Sequence, residues 1–168
     1  GEMCELRLAL ESHAAGRAAE QRTAADLHEI ELAIIALRRL TAESRNDPPD
    51  PAVLGELARY DVRFHIAIMT AARNQLMKKQ ILGLHLINRV VSGIPEVSSP
   101  PSSAAEKEER RVAVLASHEE IFAAIVQREP EAARSAMSRH IQDIIDRNME
   151  RMMQTAAVAG ILRREVLV

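Results

Sequence analysis

The sequence predicts an all-α fold, an antiparallel bundle of six or seven helices, and three observations carry that reading. Alanine, leucine, arginine, glutamate and methionine, the strong helix formers, are abundant throughout the chain. Tyr60, Phe64 and Phe122 are the only aromatics, too few for the aromatic and β-branched strands of a sandwich or barrel. Apolar residues recur at a helical period between start and stop signals, and no alternating strand pattern competes with them. A chain of 168 residues can bury one core, so residues 1–168 are read as a single domain.

The first helix is expected from about Met3 to Gln21. Thr23 with Asp26 makes a capping box for a second, reaching about Glu43, whose stripe is Leu27, Ile30, Ile34, Leu37 and Leu40. After the linker SRNDPPD, Asp50 serves as N-cap and Pro51 as first helical residue of a third, ending near Ala72. Asn74 caps a fourth that runs to about Ser92. The segment GIPEVSSPPS, 93–102, is the clearest break. Ser103 with Glu106 opens the fifth helix, to about Gln127. Pro130 opens the sixth, which Gly160 is expected to stop, leaving 161–168 unassigned.

Charge and cysteine exclude several functions. With 22 basic and 24 acidic residues interspersed, the net charge is −2, and no basic tract marks a nucleic-acid footprint. The single Cys4 excludes an internal disulfide and a cysteine-based zinc site. No apolar run is long enough to span a bilayer and no signal peptide is visible, so a cytoplasmic location is expected. The chain opens on Gly1 rather than Met, which leaves the expectation of further residues upstream.

The informative polar residues are those that fall on apolar stripes. The third helix presents Leu54, Leu57, Asp61, Phe64, His65, Ile68 and Ala72 on one side, and Asp61 and His65, four apart, project together. A buried carboxylate without a partner is costly, so it needs an explanation. His118 lies on the stripe of the fifth helix with Val114, Phe122 and Ile125. His140 lies on that of the sixth with Ala133, Met137, Ile141 and Ile144. The midpoint of 118 and 140 is residue 129, directly before Pro130, so an antiparallel hairpin sets the two histidines level. Three imidazoles and one carboxylate form a donor set for a divalent transition metal, and a dication would offset the burial cost of Asp61.

The other histidines separate from this set. A hairpin about Arg73 brings His85 opposite Asp61, which makes it a pocket-lining or structural residue and a candidate further ligand. His13 lies near the first helix's stripe, and His28 reads as surface. Beyond His85 and Glu11, no uncommitted Glu or His lies in an apolar stripe where it could serve as a general base. No phosphate loop, HExxH, G-x-S-x-G or di-iron ExxH pair is present.

Beyond spacing, the segment YDVRFHIAI (Tyr60 to Ile68) followed by Ala71-Ala72-Arg73-Asn74 resembles FCD domains. These are the C-terminal ligand-sensing domains of the FadR branch of GntR-type bacterial transcription regulators. His118-Glu119-Glu120-Ile121, Ala123-Ala124-Ile125, Pro130-Glu131-Ala132-Ala133, Met137 and Arg139-His140 are similar to that family's second signature, and Leu6 to Glu11 to its first helix. Arg73 replaces a usual glycine, and Glu129 a common Asp or Asn.

The resemblance implies metal ligands at Asp61, His65, His118 and His140, with zinc or nickel at the floor of a cavity. A small organic acid would be the effector, its anion paired by an arginine: Arg7 at the family's arginine position, then Arg89, with His85 lining the pocket. It also implies a homodimer, no enzymatic activity, and DNA contact only through a winged-helix domain upstream. Two alternatives remain open: a metal-dependent enzyme on a helical bundle, and a structural metal site closed by its four protein ligands.

Overall fold

The computed structural model describes residues 2–45, 49–92 and 103–165. Among these residues the chain forms six helices: α1 (Glu2–Gln21), α2 (Ala24–Glu43), α3 (Pro51–Ala71), α4 (Gln75–Ser92), α5 (Ala104–Val126) and α6 (Pro130–Glu165). The Pro- and Ser-rich break at 93–102 and the last residues, 166–168, lie outside the described part.

The helix starts follow from capping chemistry. Thr23 and Asp26 close a reciprocal capping box, as do Ser103 and Glu106, so orphan N–H groups at each first turn are satisfied. Asp50 accepts from the Ala52 N–H at 2.8 Å, with Pro51 behind it at a position that needs no donor. Asn74 Oδ1 accepts from Met77 N–H at 3.0 Å to start α4.

Two turns place a bulky residue in the left-handed region, Arg73 and Arg128, both at φ 57°. Arg73 is where the resembled family carries glycine, the residue that adopts this conformation without steric cost. Here Arg73 Nη2 reaches Asp26 at 2.5 Å, and Arg128 Nη1 donates to the Glu20 carbonyl at 3.0 Å.

One expectation is corrected: α6 runs through Gly160 to Glu165. A helix-interior glycine costs only about 1 kcal/mol relative to alanine, and Ile161, Leu162, Arg163, Arg164 and Glu165 after it are compatible with helix. A second correction concerns Leu54, placed on the buried stripe of α3 but 37% exposed, because the first turns of α3 extend past the core.

α1 is the organising element. It packs most extensively on α6 and also against α3, α4 and α5, while α2 packs on α3 and α5, and α5 on α6. Its buried face is made of Ala14, Ala15, Gly16, Ala18 and Ala19, small residues that let neighbouring backbones approach. A Cβ at Gly16 would stand 3.2 Å from the Pro130 carbonyl oxygen and 2.9 Å from Arg134 Nη2. The large core side chains, Phe64, Ile30, Ile34, Ile68, Ile125 and Ile141 among them, come from the predicted stripes of α2, α3, α5 and α6.

Candidate metal centre

His65 on α3, His118 on α5 and His140 on α6 are fully buried and meet in the interior. Each offers a ring nitrogen within 4.8 Å of those of the other two. The His118 and His140 ring centroids are 4.5 Å apart, as the hairpin about residue 129 requires, and His65 stands 5.5 and 5.2 Å from them. Asp61, one turn before His65, places Oδ1 3.3 Å from His118 Nε2, and its side chain remains 36% exposed. That exposure is to a cavity of about 230 Å³, walled by Leu37, Leu57 and Leu115 and carrying Asp61, His118 and Arg111. The four residues singled out by periodicity are therefore adjacent.

Proton bookkeeping fixes one tautomer. A hydroxyl has a single proton to donate, and Ser117 Oγ gives its proton to the Val114 carbonyl at 2.7 Å. Its 2.7 Å contact with His140 Nδ1 therefore has the ring N–H donating to Oγ. The His140 proton sits on Nδ1, and Nε2 keeps a lone pair. Among the described residues that Nε2 has no hydrogen-bond partner, nor do the two nitrogens of His65, the two of His118 and Nε2 of His85. Buried polar atoms are nearly always paired, so unpaired imidazole nitrogens gathered in this volume favour a ligand there. Three imidazoles beside one carboxylate are a donor set that suits a divalent transition metal.

The electrostatics agree. Burial, reinforced by His118 and His65, pushes the His140 imidazolium down from 6.5 to about 2. Burial likewise lowers His65, although Glu11 opposes it. Both rings are thus neutral near pH 7, the form that binds metals. Burial pushes the Asp61 carboxyl up, but the His118 contact and the field of the three histidines outweigh it and hold it below the usual carboxylate range.

A second cluster adjoins the first. Glu11 on α1 is fully buried; its Oε1 accepts from Arg7 Nε at 2.7 Å and lies 3.4 Å from His85 Nε2. Its Oε2 is in direct contact with His65 Nδ1. Burial raises the Glu11 carboxyl, but His65, His85 and Arg7 together carry it well below the ordinary glutamate value.

The effector candidates are placed as follows. Arg7 is buried and committed to Glu11. His85 is buried beside the same carboxylate. The Arg89 side chain lies outside the described part. His13 and His28 are exposed. Sequence reasoning left Glu11 without a task and did not name Ser117 or Arg111. The i, i+4 spacing of Arg7 and Glu11 on an apolar stripe was the available signal for the first.

The chain is a helical bundle with a buried donor set beside a small cavity. The chain belongs to the FCD domain family, whose model matches residues 2–143. Domains of this family are regulatory parts of GntR-family transcriptional regulators and are not enzymes. The chain is 30% identical over 147 residues to the HTH-type transcriptional regulator LutR of Bacillus subtilis (strain 168), an alignment covering 86% of this chain and 60% of LutR. It thus spans about three-fifths of the length of that relative. Its fold is similar to that of Streptococcus agalactiae GntR, with a TM-score of 0.60 and 23% identity over 85% of this chain and 56% of that one. Among the described residues, no helix is long and apolar enough to cross a membrane.

Proposed function

We propose that this domain is a metal-dependent sensor of small organic acids. The observation that carries the reading is the convergence of His65, His118 and His140, with partnerless nitrogens, beside Asp61 at the edge of a cavity. These four residues would hold one divalent ion, zinc or nickel. Such an ion supplies an electropositive centre that attracts a carboxylate oxygen.

The protein's own groups supply the rest of the recognition. The leucine walls are apolar and suit a short carbon chain. Arg111 lies on the same wall, its Nη2 donating to the Ser44 carbonyl at 3.0 Å and its buried Nε without a partner among the described residues. A guanidinium held in this way can pair the far end of a hydroxy acid or dicarboxylate. Arg7, engaged by Glu11, is less available for that task than its position on the first helix suggested.

The domain would act on transcription through a winged-helix domain outside this chain, as the name and greater length of LutR suggest. The effector must then bind two arrangements of the bundle with different affinity. A homodimer belongs to the same proposal, supported by exposed apolar side chains such as Leu76 on α4 and Met149 and Met153 on α6.

Elemental analysis of the reconstituted chain is expected to find about one divalent metal per chain, and none in His140→Ala. Hydroxy acids or dicarboxylates should raise the melting temperature only when metal is present. No metal after reconstitution would sink the site. Metal uptake without response to any acid would return it to a purely structural role.

A further inference from the structure

We propose that Glu11 is a positioning residue: held by Arg7, it fixes the proton of His65 on Nδ1 and so presents Nε2 to the metal centre. The inference rests on the metal reading above but concerns a residue outside the proposed ligand set, on a helix that contributes no ligand.

The His65 ring lies between two groups. On one side are His118 and His140, at 5.5 and 5.2 Å between centroids; on the other is His85 at 5.1 Å. The two nitrogens of an imidazole direct their bonds to widely separated sides of the ring. With Nδ1 against Glu11 Oε2, Nε2 is aimed away from α1. The two atoms touch without the alignment of a formed hydrogen bond; because an ionised carboxylate only accepts, a proton on Nδ1 is the arrangement this contact favours, and it leaves the lone pair on Nε2. His140 is set in the same way by Ser117. Two of the three histidines therefore offer Nε2, each fixed by an acceptor on another helix or turn.

Glu11, His65 and His85 also lie close enough together to suggest a second metal ion. Arg7 argues against that. Its guanidinium, always protonated and 6% exposed, donates to Glu11 Oε1 at 2.7 Å. The single carboxylate of the cluster is thus already neutralised, and a dication there would face a fixed cation close by. The group reads as a relay, Arg7 to Glu11 to His65, with His85 resting on the same carboxylate. Carboxylates behind ligating histidines fix the ring's tautomer and orientation and raise its basicity.

The test is competition titration of the metal-free wild type and Glu11→Gln with Zn²⁺ against a chromophoric chelator, alongside the visible spectrum of the Co²⁺ form. Glutamine keeps the shape but loses the charge, and zinc affinity is expected to fall about 10- to 100-fold with the cobalt spectrum unchanged in shape. Equal affinity overturns the proposal, and so does a changed cobalt spectrum, which would make Glu11 itself a ligand.

Should Glu11→Gln not fold, nitrogen-15 histidine spectra of the wild type decide. Zinc at His65 Nε2 with a proton on Nδ1 supports the assignment; zinc at Nδ1 overturns it. If the wild type takes up no zinc, the metal reading falls. The tautomer of His65 in the metal-free chain then still reports whether Glu11 holds the Nδ1 proton, and a proton on Nε2 overturns that too.

Discussion

Acidifying the chelator-treated protein tests the buried histidines directly. His140 is 1% exposed, and burial, with His118 and His65 beside it, carries its imidazolium from 6.5 down to about 2. The unfolded chain releases that restraint and titrates near 6.5. Because the folded value is the lower one, the unfolded state binds the extra proton throughout the interval. Stability therefore falls as the pH drops below about 6.5 and continues to fall toward about 2. At about pH 5, roughly 1.5 units below the unfolded value, His140 alone removes about 2 kcal/mol. His65, lowered for the same first reason, acts with the same sign.

Glu11 and Asp61 are displaced downward from 4.5 and 3.8, so their contributions are lost only at more acid pH, leaving this window to the imidazoles. A loss of this size is a substantial part of an ordinary domain's ~5–15 kcal/mol. Urea unfolding at about pH 7.5 and about pH 5, for wild type and His140→Asn, measures it. Asparagine retains a donor for Ser117 but has no imidazole to titrate, so its loss should be smaller by about 2 kcal/mol. The same acid loss in both proteins would refute the reasoning.

Three further outcomes are expected. Ser117→Ala leaves the His140 N–H without its acceptor, so metal-free stability should drop by about 1–3 kcal/mol and metal affinity by roughly 10-fold; melting curves and metal titration check both, and no change in either rejects the tautomer assignment. Arg73→Gly relieves a left-handed non-glycine residue, worth about 1–2 kcal/mol, against an exposed pair with Asp26 worth less than ~1 kcal/mol. Urea midpoints should show it neutral to stabilising, and a clear destabilisation would contradict the account of that turn. The double variant Arg7→Met, Glu11→Leu should keep its fold and its urea midpoint to within about 2 kcal/mol while binding zinc about 10- to 100-fold more weakly; retained affinity would place the pair outside the metal site's support.

Most of the fold was legible because local rules determine it. The capping boxes at Thr23 and Ser103, the Asp50-Pro51 start and the apolar stripes of α2, α3, α5 and α6 stand where side-chain hydrogen bonding and period require. The candidate centre was legible for a related reason. Asp61 and His65 are joined by one helical turn, and His118 and His140 by a hairpin whose turn announces itself in Pro130, so no long-range docking had to be guessed. Glu11 is different. Its contact with His65 depends on how α1 docks against α3, and an alanine face carries little information about register. Arg7 follows a physical rule as well: an arginine one turn before a buried glutamate pairs with it, which makes it less available to an external anion.

The buried Arg7–Glu11 pair bears on why α1 is built as it is. Removing a guanidinium and a carboxylate from water costs several kcal/mol for each ion, and their attraction often does no more than offset that cost. Apolar residues of similar size would hold α1 against α3 and α4 at least as well, and the alanines further along the helix already do so against its neighbours. Stability alone therefore does not account for a charged pair at this depth. The free oxygen of Glu11 does, because it meets the one histidine that stands between the two clusters. On this argument α1 carries the orientation of His65, and any movement of α1 relative to α3 would alter how that nitrogen is offered. In the proposed sensor, coupling between the metal centre and the first helix would then require only a carboxylate that cannot follow two partners at once.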